Sequence, residues 1–181
     1  MGAKSSTGRY GAIAITIHWV TVLAILGLLI SGFQAEDMDD EATKVGLLAI
    51  HASLGIFILV LTIQRVVWWW LFDKQPLPPQ AMPRWQVITA HAVHGTLYIV
   101  IIAMAFSGIA MFILSGAGDI VFGGIAAELP DFEDYPPRPA HGAGARILLA
   151  LLAVHIGAAL YHHFIRRDRL LARMGLGRLK A

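Results

Sequence analysis

Four long apolar runs, separated by short polar stretches, set the pattern of this chain. They lie at about residues 12 to 33, 45 to 72, 87 to 114 and 140 to 165. Each reaches the roughly 20 residues that a helix needs to cross the hydrocarbon of a bilayer. Runs of that length exceed the core helices of a soluble domain. The pattern therefore predicts an all-α integral membrane protein, a four-transmembrane-helix bundle filling one domain from residue 1 to 181. The leader MGAKSSTGRYG precedes the first run, which passes into the acidic stretch GFQAEDMDDE with no small-residue cleavage pattern. The first run is accordingly expected to be a retained helix and not a signal peptide.

Composition reinforces the class. Hydrophobic residues make up 57% of the chain and the mean hydropathy is +0.66, which leaves no room for a separate water-soluble domain. Charge then gives sidedness. Lys4, Arg9, Arg65, Lys74, Arg84, Arg166, Arg167, Arg169, Arg173, Arg178 and Lys180 fall on one side of the four runs, and Lys44, Arg138 and Arg146 on the other. Eleven cations against three put both termini in the cytoplasm. Ten of the 12 carboxylates fall outside, leaving about −7 on that face and +9 on the inner one, which together make the chain's +2. The tryptophans near Arg65 look like an interfacial belt, and the basic tail after Arg166 like a short stretch on an anionic leaflet. Nothing suggests nucleic acid as a partner.

There is no cysteine, which excludes disulfides, thiolate-held iron–sulfur clusters and covalently attached haem. Histidine is left as the metal-ligand type. His141 and His155 lie 14 residues apart in the fourth run, so a helix turns them to nearly one face, roughly 21 Å apart along its axis. Ligand-type side chains inside a span are costly unless used, so several within one bundle are a functional signal. Depth sorts them into two layers. At the outer level only His51 and His141 are available, and they form the least ambiguous pair. At the inner level His155 is the best-placed ligand on the fourth helix, with His18, His91 or His94 open as its partner. A pair of imidazoles suits haem iron and leaves no open position for oxygen, which favours electron transfer. Gly55, Gly95, Gly142, Gly144 and Gly157 would let a flat macrocycle approach, or serve ordinary helix packing. A histidine-lined metal transporter would need hydrophilic pathway residues, and spans one, three and four lack buried carboxylates.

These residues resemble the bacterial di-haem cytochrome b561 family. The likeness is carried by IHW at Ile17 to Trp19, IHASLGI at Ile50 to Ile56, AHAVHG at Ala90 to Gly95, and the His141, His155, His162, His163 series ending in ALYHHF. It implies two haem b groups, the inner held by His18 and His155 and the outer by His51 and His141, with His91 and His94 as non-ligands. It also implies oxidation of periplasmic superoxide with electrons passed to ubiquinone. His162, seven residues past His155, is then a candidate contact for a quinone carbonyl or a propionate. Lys44, Arg138 and Arg146 are the candidates for steering an anion or clamping an outer propionate. The acidic outer loops run against steering of an anionic substrate, and would equally suit docking of a basic redox protein. Such a docking would make the chain a membrane cytochrome b subunit passing electrons between quinone and a periplasmic redox protein.

Overall fold

A computed structural model describes residues 2–79 and 82–177; Arg178 and Lys180, counted above among the inner cations, lie outside the described residues. Four long helices form, with no strand among the described residues. They are α1 (Ala12–Glu36), α2 (Glu41–Val67), α3 (Arg84–Ser115) and α5 (Pro137–Leu160), with short helices α4 (Ala117–Val121) and α6 (Leu170–Arg173). Two of the long helices widen into a π-helical turn at the same end of the bundle: α2 over Trp68–Phe72 and α5 over Tyr161–Arg166. Each long helix is apolar and long enough to span a membrane. Large apolar side chains cover the outside. Leu23, Ile99 and Ile113 are 68%, 69% and 73% exposed, a pattern that water would penalise and lipid satisfies.

Local chemistry sets the ends. Asp40 caps α2 by accepting a hydrogen bond from the Thr43 N–H at 2.9 Å, and the bonds from Thr43 hold its carboxyl below the usual carboxylate range. Gly116, at φ 70°, closes α3 in the left-handed conformation that glycine adopts without strain. Pro137 and Pro139 fall in the first turn of α5, where a missing N–H removes no helical bond.

The helices pack as two hairpins, α1 on α2 and α3 on α5, joined through α2 and α3, whereas α1 and α5 make no extensive backbone contact. Between the hairpins runs a thin apolar plug of Ala24, Ile25 and Ile58, with Leu54, Ile101 and Leu152 against it. No large side chain is fully buried among the described residues, so side chains alone do not fill the interior at the density usual for a protein core.

The two ends differ. The loop end carries the connection between α1 and α2 and the long segment from α3 to α5. That segment folds inward: Phe112 meets the rings of Phe122 and Phe132 at 6.2 and 6.4 Å, and the Leu129 N–H donates to Glu41 Oε1 at 2.7 Å. The termini end is braided from three segments. Asp73 accepts from the Ser5 backbone and hydroxyl and from the Trp68 indole. Arg173 donates to the carbonyls of Gly8 and Leu77, and the Trp19 indole donates to Met174 O at 2.9 Å. The basic tail, expected as a short interfacial stretch, is thus also tied to the rest of the protein. Arg173 is buried because it ties the tail to the leader and to the 2–3 connection. Of the belt tryptophans only Trp70, at 85% exposure, faces fully outward; Trp68 and Trp69 turn in against Asp73 and Tyr10.

Candidate functional site

Imidazoles gather at two depths. At the loop end His51 on α2 and His141 on α5 face each other, ring centres 6.1 Å apart. The neighbouring helix fixes each ring. His51 Nδ1 lies 3.0 Å from the Leu28 carbonyl on α1; a carbonyl only accepts, so Nδ1 carries the proton and Nε2 keeps its lone pair. His141 Nδ1 lies 2.8 Å from Ser107 Oγ on α3, whose own hydroxyl donates to Met104 O. With that proton committed, the oxygen accepts from His141 Nδ1–H. Both rings thus keep a lone pair on Nε2, the tautomer a metal ligand needs, with Nδ1–H bonded to an oxygen that fixes the ring's orientation.

Close approach of helix backbones makes this possible. A Cβ on Gly32 would stand 2.8 Å from Cε1 of His51, and one on Gly108 3.3 Å from Cε1 of His141. Neither glycine stood out in the sequence. The available signal was a Ser-Gly pair, Ser31–Gly32 and Ser107–Gly108, repeated in the first and third runs. Of the five glycines that did stand out, Gly55, Gly142 and Gly144 meet Leu28, Arg138 and Met104 as packing positions, while Gly95 and Gly157 face open space.

At the termini end His18 on α1 and His155 on α5 have ring centres 6.3 Å apart, and His94 on α3 lies 5.1 Å from His155. Arg65 on α2 joins them, its Nη1–H donating to His18 Nδ1 at 3.1 Å. A second, smaller cavity of about 190 Å³ opens beside Arg65, lined by Tyr10, Gln75, His91, His94 and Tyr98 among others. Burial raises the pKa of the Tyr10 phenol against the pull of Arg173 and Arg65, so it stays a hydrogen-bond donor.

The separations test what each layer can hold. Two metal–imidazole bonds of about 2.1 Å, plus a ring radius of about 1 Å on each side, put the ring centres roughly 6 Å apart. His51 with His141 and His18 with His155 match that span; His94 with His155 falls short of it. Two imidazoles do not hold a bare ion, and no group of three or more His, Cys, Asp or Glu suited to a metal ion occurs among the described residues. Iron already held by four in-plane nitrogens is the ion that two imidazoles complete. Space is also present: a cavity of about 1260 Å³ reaches from His51 and His141 to the loop end, above the 300–1,000 Å³ usual for small-molecule sites.

The remaining residues singled out from the sequence fall as follows. Lys44, Arg138 and Arg146 all line the large cavity. Arg138 is engaged, pairing with Glu36 at 3.1 Å and Glu133 at 2.9 Å, whereas Lys44 and Arg146 form no ion pair among the described residues. His162 is 8% exposed and its Nδ1 bonds Asp168. Asp168 is held there between Arg167 and Arg169, both with left-handed backbone at φ 56° and 62°, strain that persists only where the surroundings hold it. His91 bonds the Val87 carbonyl of its own helix at 2.8 Å, and His163 packs on the Phe164 ring. The sequence reading missed Arg65, Ser107 and Asp168 as partners of these histidines.

Imidazoles paired at two depths between transmembrane hairpins are an arrangement suited to a membrane-bound b-type cytochrome. The comparisons narrow the class. The model of the prokaryotic cytochrome b561 family matches residues 9–177. The chain is 30% identical over 169 residues to a Yersinia pestis protein named probable superoxide oxidase CybB, covering 92% of this chain and 95% of that one. It is 30% identical over 172 residues to Escherichia coli cytochrome b561 homolog 1, covering 92% and 96%. It is 29% identical over 188 residues to E. coli cytochrome b561 homolog 2, covering 96% and 95%. The chain belongs to the prokaryotic cytochrome b561 family, a multi-pass bacterial membrane oxidoreductase that binds b-type haem.

Proposed function

We propose that the chain, working over residues 1–181 as one domain in the bacterial inner membrane with both termini cytoplasmic, carries single electrons from periplasmic superoxide to ubiquinone. His51 and His141 hold one haem b at the loop end, and His18 and His155 a second at the termini end. The observation that carries this reading is the pair of ring separations, 6.1 and 6.3 Å, at two depths of one bundle. Haem iron held by two imidazoles supplies one-electron storage with no position left for oxygen. The chain's own residues do the rest. Leu28 O and Ser107 Oγ fix the loop-end tautomers, and the plug of Ala24, Ile25 and Ile58 keeps water from the space between the layers. Lys44 and Arg146 stand at the cavity where an anion would arrive. At the other end His162, its Nδ1–H donating to Asp168, keeps an Nε2 lone pair that would accept the hydroxyl hydrogen of a quinol, or as the imidazolium would donate Nε2–H to a quinone carbonyl.

Superoxide enters the proposal from the printed name of the Yersinia relative together with that cavity. One observation favours a second reading. Arg138 is neutralised by Glu36 and Glu133, so the acidic loop end is better suited to a basic redox protein than to an anion. In that reading the chain is a cytochrome b subunit exchanging electrons between quinone and a periplasmic partner. Rapid mixing of the purified protein with superoxide separates the two. Fast haem reduction that slows when Lys44 and Arg146 are replaced by glutamine supports the first. Slow reduction insensitive to salt and to those changes supports the second. A redox difference spectrum lacking b-type centres would defeat both.

A further inference from the structure

Arg65 stands inside the termini-end layer without an anion. Its Nη1–H donates to His18 Nδ1, its guanidinium lies 6.0 Å from the centre of the Tyr98 ring, and its Nε–H is buried with no hydrogen-bond partner. It is within electrostatic reach of His18, His94 and His155. No carboxylate pairs with it among the described residues, and all 12 acids of the chain lie at or beyond the ends of the apolar runs. A cation at such a site is costly unless an anion reaches it. The adjoining cavity of about 190 Å³ has Tyr10, Gln75, His94 and Tyr98 in its wall and no carboxylate.

The bond to His18 points the same way. Because Arg65 only donates, His18 Nδ1 is an acceptor and the ring's proton sits on Nε2. Ligation through Nε2 needs the opposite tautomer, the one His51 and His141 already have. A His18 ring that presents Nδ1–H no longer accepts from Arg65, which frees Nη1–H, while the guanidinium's other edge, Nε–H beside Nη2–H, already holds a buried Nε–H without a partner. That edge matches a carboxylate.

Resting on the assignment of His18 and His155 as ligands, we propose that Arg65 is the positioning residue of the termini-end centre, binding a carboxylate of the haem side-on through Nε–H and Nη2–H. Its charge then favours the reduced state of that centre alone. The alternative source of the same chemistry is a diffusible oxyanion in the small cavity.

Redox titration of the purified holoprotein, with both centres resolved, tests this on Arg65→Gln and Arg65→Lys. In Arg65→Gln the reduction equilibrium of one centre is expected to fall roughly tenfold, which for a one-electron couple is 59 mV, while the other centre keeps its value. Arg65→Lys is expected to keep most of the potential. A redox infrared difference spectrum with ¹³C-labelled haem carboxylates is expected to show the labelled band displaced in both variants, because lysine restores the charge without the fork. Unchanged potentials in Arg65→Gln, or an undisplaced label, overturn the proposal. So does a wild-type potential that follows added inorganic phosphate, which would give the guanidinium to a diffusible anion. If Arg65→Gln loses the haem, Arg65→Lys reads the same two quantities. A wild-type protein lacking a second centre would instead defeat the His18–His155 assignment on which this rests.

Discussion

The two histidine layers share a ring separation and differ in almost everything around it. At the loop end each imidazole is held by one oxygen of the adjacent helix and backed by a glycine, Leu28 O with Gly32 and Ser107 Oγ with Gly108. Among the described residues no buried side-chain nitrogen or oxygen lacking a partner belongs to that layer. At the termini end three histidines and an arginine crowd together, His18 has the opposite tautomer, and Arg65 Nε has no partner. The first layer is organised by the protein alone. The second is incomplete by its own hydrogen bonding, which marks it as the layer whose final arrangement depends on what it binds.

The largest effect that separates the layers is loss of a whole centre. His51→Ala or His141→Ala is expected to halve haem content from two per chain to one and leave the termini-end spectrum intact. His18→Ala or His155→Ala is expected to do the reverse. Haem-to-protein ratios and low-temperature difference spectra measure both. Loss of the same centre from all four variants would break the comparison at its root. His94→Ala sharpens it: with ring centres only 5.1 Å from His155, His94 is expected to be dispensable for haem retention.

Next in size is the orienting hydroxyl. Ser107→Ala leaves His141 Nδ1–H without its acceptor, and losses of such partners typically weaken metal-site affinity 10–100-fold. Haem dissociation to an apo-acceptor protein is expected to speed up by that factor at the loop-end centre only. An equal effect on both centres would show that the hydroxyl acts on the fold and not on one ring. Smaller again is Asp168→Asn, which weakens the bond that orients His162. Quinone reduction is expected to slow roughly tenfold with both haem spectra unchanged, and a normal rate would remove His162 from the proposed acceptor site.

Much of this fold was legible because the bilayer imposes a simple rule: a spanning helix must be long and apolar, and the four runs say so directly. That His51 and His141 face each other was legible from depth alone. The inner neighbours were not, since His18, His91 and His94 lie at similar depth, and depth says nothing of the azimuth at which each helix presents its ring. In the proposed reading it is the separations of 6.3 and 5.1 Å that favour His18 over His94. Arg65 passed as a belt residue because arginine beside tryptophan at a helix end is the usual interfacial anchor; only packing reveals that it turns inward. The ties of the tail were hidden for a related reason. A basic stretch past the last span suits an anionic leaflet, yet Arg173 is used to join leader, connection and tail, a tertiary contact that charge counting does not carry.

That braid also carries a pH response, through Asp73. Burial alone would raise its carboxyl, but the donors from Ser5, Lys74 and Trp68 outweigh it and hold the group below the usual carboxylate range. A depressed folded-state pKa contributes stability that is fully present above the unfolded value of about 3.9 and is lost as pH falls through the folded one. Asp73→Ala is therefore expected to destabilise the detergent-solubilised protein by about 1–2 kcal/mol near neutral pH, the scale of hydrogen bonds to a partly exposed charged acceptor. The gap to wild type should shrink as pH drops below about 4. The loop-end centre, remote from this cap, should keep its spectrum throughout. Unfolding curves at neutral and acidic pH, followed together with the two haem spectra, measure both halves of the expectation. A pH-independent gap would mean that Asp73 acts by packing and not by charge.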